Sequence, residues 1–138
     1  MTPMSSEYIT GITILDEQHE QLFQLTQQAK ALLKNENMLY KYDELQKILK
    51  GLRDYTLSHF VTEEDYMEKA GYAKLEAHRQ LHLRFIDKLN QFEEEVTRIS
   101  LGTQDTILAE LWDYLADWLM QHISNIDIEM ISEIEAAR

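Results

Sequence analysis

The chain has 138 residues, 25 acidic against 13 basic side chains, a formal net charge of −12 and no cysteine. That length suits one domain with a core of its own, residues 1–138, and the charge disfavours nucleic acid and anionic membrane surfaces as partners. Without thiolates there is no zinc–thiolate site, iron–sulfur cluster, cysteine nucleophile or disulfide frame, so any metal must be held by histidine and carboxylate.

The first 15 residues read as an N-terminal arm. Its opening, MTPMSSEYITG, lacks the charged and apolar regions of a signal peptide, and no apolar run in the chain approaches the roughly 18 residues of a membrane span. No membrane span and a cytoplasmic location are the expectations. One proline, Pro3, and four glycines, Gly11, Gly51, Gly71 and Gly102, leave long uninterrupted stretches, and β-branched alternation is scarce. The pattern is all-α.

A first helix is predicted over about 17–35, capped by Asp16, with Leu22, Phe23, Thr26, Ala29 and Leu33 on its apolar stripe and His19 one turn ahead. A second, over about 41–70, carries Leu45, Ile48, Leu52 and Tyr55, and the same stripe continues into His59 and Glu63. The third, over about 74–98, runs Leu75, His78, His82, Phe85, Leu89, Phe92 and Val96. The fourth, over about 104–135, runs Leu108, Leu111, Leu115, Trp118 and His122, then Ile126 or Asp127. Turn signals separate them at NENM (35–38), AGYA (70–73) and SLGT (100–103), the last with Gly102 suited to a helix end. Connections this short force neighbours antiparallel, giving an up-down-up-down four-helix bundle over about 16–135.

All five histidines fall on core-facing stripes. A lone histidine there is usually a hydrogen-bonded core residue, and chance serves poorly for five of five. Topology gives a sharper test: His19 is early in the first helix, His59 late in the second, His78 and His82 early in the third and His122 late in the fourth. In an antiparallel bundle these positions share one end and one depth. Glu63, four residues after His59, joins them, whereas Glu64 and Asp65 rotate away and read as solvated charge. Asp127 is harder, because five residues turn an ideal helix through about 500°, leaving it about 140° from His122.

Four segments, DEQH (16–19), HFVTEE (59–64), HRQLH (78–82) and WLMQHISNID (118–127), together resemble the hemerythrins, most closely the single-domain bacteriohemerythrins, over about Gly11 to Asp127. Myohemerythrin is itself a standard instance of such a bundle. The resemblance implies two irons, with His78, His82 and His122 on one, His19 and His59 on the other, and Glu63 and Asp127 bridging both. Departures are peripheral: Met4 and Tyr8 in the arm where bacterial members often carry tryptophan, and Ala73 where a proline often follows Gly-Tyr.

Two six-coordinate irons offer twelve positions. Five histidines, two bridging carboxylates and a bridging oxo or hydroxo group leave one open. Histidine-rich ligation suits iron over calcium or magnesium, so the expected function is reversible dioxygen binding, as hydroperoxide at the open iron position with the proton lent by the bridge, and no enzyme activity. Ferritin-like di-iron sites instead use Glu-x-x-His, which does not occur here. Trp112, Trp118, Phe60, Leu119 and Ile123 are expected to wall the site from water, or to serve as ordinary core. The alternatives are an oxygen-sensing module signalling to a partner, disfavoured because the bundle uses nearly the whole chain, and a di-iron peroxidase or nitric oxide reductase. Dioxygen is the expected ligand, and an oxygen-consuming protein or a reductase the expected protein partner. The strain at Asp127 predicts a π-type widening between His122 and Asp127.

Overall fold

The computed structural model describes residues 12–119, 121–122 and 127–137. Helix α1 spans Thr13–Lys34, α2 Tyr42–Lys69, α3 Leu75–Val96, α4 Gln104–Leu119 and α5 Ile128–Ala136. Around the bundle, α1 packs on α2 and α4, and α3 packs on α2 and α4. Cross-helix pairs give the directions. Arg53 on α2 meets Glu93 on α3 at 2.7 Å while Glu64 meets Arg79 at 3.1 Å, so residue numbers rise on one helix as they fall on the other. The antiparallel four-helix bundle is therefore the observed architecture, with the last helix in two parts. Among the described residues no helix is long and apolar enough to cross a membrane.

The main core interleaves Leu22, Leu25 and Ala29 of α1, Leu45, Leu49 and Leu52 of α2, Phe85, Leu89 and Phe92 of α3, and Leu108, Leu111 and Leu115 of α4. On α1 and α2 the buried stripes are rotated slightly from the sequence expectation. Leu25 and Leu32 are buried where Phe23 and Leu33 are only half-buried. Thr56 is fully buried while Tyr55 is 41% exposed. The threonine can occupy the core because its Oγ1 donates to the Leu52 carbonyl at 2.6 Å, so no polar group is left unsatisfied.

A second, smaller cluster lies beyond the histidines: Leu15, Met67, Met130, Ile131 and Ile134, with Ile12, Tyr66, Tyr72 and Leu75 against it. It explains why α1 begins at Thr13 and not after Asp16. Extending the helix backward buries Leu15 completely in this cluster, and Asp16 serves as an acidic residue of the first turn, where it complements the helix dipole. Residues 1–11 of the expected arm lie outside the described residues.

The left-handed glycine is Gly71 (φ +65°), not Gly102. After α2 the Tyr72 amide donates to the Met67 carbonyl (2.9 Å) and the Gly71 amide to that of Glu68 (3.1 Å), the paired bonds of a Schellman cap. At the far end Lys41, buried to 3% exposure, reaches the Leu33 carbonyl and Asp105, and its amide binds the Gln104 side chain. This fastens the two loops away from the histidines.

Candidate metal centre

Four segments deliver the polar residues to one layer between the two apolar clusters. His19 comes from α1, His59 and Glu63 from α2, His78 and His82 from α3, and His122 and Asp127 from the segment joining α4 to α5; all seven are at least 94% buried. The described part of that joining segment, residues 121–122 and 127, is π-helical. An i to i+5 repeat aligns side chains five apart, which answers the angular difficulty at Asp127. Among the described residues the expected fourth helix is thus α4, the π-helical residues 121–122 and 127, and α5. Ile123 and Ile126 lie outside the described residues.

The distances are short. His19 Nε2 is 2.8 Å from Asp127 Oδ2 and 3.1 Å from His59 Nε2. Glu63 Oε1 is 3.0 Å from His59 Nε2, 3.0 Å from His122 Nε2 and 3.4 Å from His82 Nε2. Asp127 straddles the layer: Oδ2 faces His19 and His59, and Oδ1 is 3.0 Å from His122 Nε2. His78 stands at the margin, with its ring 6.4 Å from that of His82 and 5.7 Å from Tyr72.

Two side chains that the sequence reading did not single out, or read as solvent-facing, hold the rings from behind. The Thr62 hydroxyl donates to the Ser58 carbonyl and so accepts from Gln18 Nε2 (3.0 Å), which leaves Gln18 Oε1 to accept from His59 Nδ1 at 3.0 Å. Glu64 is only a quarter exposed and not simply solvated; its Oε2 accepts from His82 Nδ1 at 3.2 Å and its Oε1 from Arg79 Nε at 3.1 Å. An i+5 step from His59 hid Glu64 from a stripe argument. Its proximity to Arg79 on α3 was the cross-helix signal. Trp112 lies ten residues before His122, about 15 Å along the axis, and sits under Lys30 (5.2 Å) as part of the central core, not the site wall. Phe60 and Trp118 do line the layer: Phe60 stacks on His82 (3.9 Å between centroids, 8°) and Trp118 on His122 (4.6 Å, 11°).

Charge is unevenly distributed among these groups. Burial would raise Glu63, but the charge of His59, a hydrogen bond with Asp127 and the charge and hydrogen bond of His122 overcome it and hold the carboxyl well below its usual range. Burial and then the charge of Glu63 push Asp127 well above its usual range. Burial lowers His122 to about 4 and lowers His78. Metal binding needs neutral imidazoles and ionised carboxylates; burial favours the neutral form at His78 and His122, whereas Asp127 would give up its proton to a bound cation.

The donors also fit a cation better than they fit one another. With Nδ1–H committed to Gln18 and Glu64, His59 and His82 turn Nε2 inward toward the carboxyl oxygens, Glu63 Oε1 for both and Asp127 Oδ2 for His59. Glu63 Oε2, His82 Nε2 and Asp127 Oδ1 have no hydrogen-bond partner among the described residues. Two carboxyls and converging imidazole nitrogens at about 3 Å are costly to ionise together in a dry interior, and a positive ion between them would offset that cost. Two groups of convergent ligand atoms result, His19–His59–Glu63–Asp127 and Glu63–His82–His122, with Glu63 in both.

Comparison with known proteins agrees with this geometry. The family profile described as "Hemerythrin HHE cation binding domain" matches residues 10–134. Bacteriohemerythrin from Clostridium acetobutylicum is 36% identical over 125 residues, covering 91% of this chain and 95% of its own, and that from Pseudomonas paraeruginosa is 30% identical over 125 residues, covering 91% and 76%. A hemerythrin chain from Sipunculus nudus is 35% identical over 74 residues, covering 54% and 53%. With the profile spanning nine-tenths of a bundle that gathers histidines and carboxylates at one end, the chain belongs to the hemerythrin family.

Proposed function

We propose that His19, His59, Glu63, His78, His82, His122 and Asp127 hold two iron ions, and that the chain uses them to bind dioxygen reversibly as a carrier or store. The observation that carries this reading is the pair of convergent ligand groups sharing Glu63, with Asp127 presenting one oxygen toward each side. Two carboxylates placed between two sets of imidazoles suit a pair of metals and not a single one. When bound, the two irons supply the electrons and the open position that dioxygen requires. The protein's own contribution is to hold and to exclude. The stacked rings of Phe60 and Trp118 fix His82 and His122 in place, and the Leu15–Met67–Met130 cluster closes the bundle end against water. The carrier reading is preferred to oxidative catalysis because the carboxylates number two and are spent as bridges. A reductase is the protein partner this reading calls for, to restore oxidised centres.

Metal analysis tests the ligand set. Protein produced with adequate iron is expected to hold about two irons per chain, and Glu63→Ala to lose both. One zinc per chain, or full iron retention in Glu63→Ala, would contradict it.

A further inference from the structure

Behind the ligand layer, His59 and His82 make outward hydrogen bonds to unlike partners. His59 Nδ1 donates to the neutral amide of Gln18, itself anchored on Thr62 and so on the Ser58 carbonyl of α2. His82 Nδ1 donates to a carboxylate, Glu64, steadied by Arg79. His78 Nδ1 has no hydrogen-bond partner among the described residues. Both contacts run between neighbouring helices, and both acceptor side chains are themselves held by a further hydrogen bond.

We infer that Gln18 and Glu64 are positioning residues that fix His59 and His82 as Nδ1–H tautomers with Nε2 facing the metals, and that their difference in charge makes the two sides of the centre unequal donors. A ligating imidazole whose far N–H meets a carboxylate is the more basic ligand, so Glu64 strengthens donation on the side of His82 and His122, while the neutral Gln18 leaves the side of His19 and His59 poorer in electrons. The carboxylate thereby backs the side that the proposed ligand set gives three histidines, and the amide backs the side left with two. This rests on the di-iron reading for the tuning, but the tautomers are a property of the chain itself.

The test has two arms. In metal-free protein with 15N-labelled histidine, the ring nitrogens of His59 and His82 are expected to report a proton on Nδ1. Gln18→Leu and Glu64→Leu should release His59 and His82 respectively toward the Nε2–H form and weaken iron binding about 10- to 100-fold. Glu64→Gln, which keeps an acceptor and loses only charge, should restore the tautomer and two irons per chain. The second arm measures the midpoint potential of iron-loaded protein: Glu64→Gln should shift it upward, and Gln18→Glu, where the Thr62 hydroxyl can turn to donate, downward. Unchanged tautomers in the leucine variants would overturn the positioning role. Coincident potentials, or loss of iron from Glu64→Gln, would overturn the tuning while leaving the di-iron reading intact. Fixed tautomers in a parent chain that binds no iron would instead defeat the di-iron reading, and the tuning with it.

Discussion

Asp127 is fully buried, and burial together with the charge of Glu63 raises its carboxyl well above the usual aspartate range. A group whose folded pKa lies above its unfolded value contributes stability only below the unfolded value, near 3.8, and loses it as pH rises. The metal-free chain therefore bears a cost at neutral pH that a second cationic charge would relieve. Asp127→Asn does not titrate. In denaturant unfolding of metal-free proteins, the variant should be more stable than the parent at pH 7, on the order of 1 kcal/mol, with the gap closing as pH falls toward 4; its iron content should drop. A parent as stable as the variant at pH 7 would show that the paired carboxylates cost nothing. The five histidines and Glu63 were legible from sequence because histidine is rarely placed on a core stripe and the antiparallel order forces those positions together, whereas Asp127 came from the need for a second anion and the family resemblance, against the ideal helix angle. Gln18 and Glu64 were not, since amides and acids are common on helix surfaces and only the neighbouring helix reveals what they touch.

At the scale of elements, helix number, order and direction follow from apolar spacing and short turns, and the structure keeps them. What spacing alone misplaced were boundaries and rotations. Thr56 was passed over for Tyr55 because a hydroxyl looks polar until its bond to the Leu52 carbonyl is seen. The start of α1 depends on Leu15 finding Met67 and the α5 methionine and isoleucines, contacts more than fifty residues away. The π-helical residues Gln121, His122 and Asp127 were predicted from chemistry and not from local sequence: two side chains five apart had to share a face. The Schellman cap after α2 gives a direct check. A Cβ on Gly71 meets nothing within 4 Å, so Gly71→Ala tests backbone strain alone. It should cost about 1 kcal/mol of stability and leave the iron content at the parent's level; no loss in thermal or denaturant unfolding would mean the cap tolerates another conformation.

Across the whole molecule, the polar layer is placed between a large apolar core and a small one, so that the proposed metal ligands are dry on both sides. A dry site whose two carboxylates would both be taken up by the metals would favour electron transfer to a bound diatomic and its reversal over oxidation of a second molecule. That claim is tested most directly by the optical spectrum of reduced, iron-loaded protein before exposure to air, after it, and again under vacuum. Reversible dioxygen binding predicts a new charge-transfer band on exposure, with one dioxygen taken up per two irons, that disappears under vacuum without added reductant and returns on a second exposure. A site oxidised permanently by the first exposure, with no bound intermediate on a stopped-flow timescale, would contradict the carrier reading.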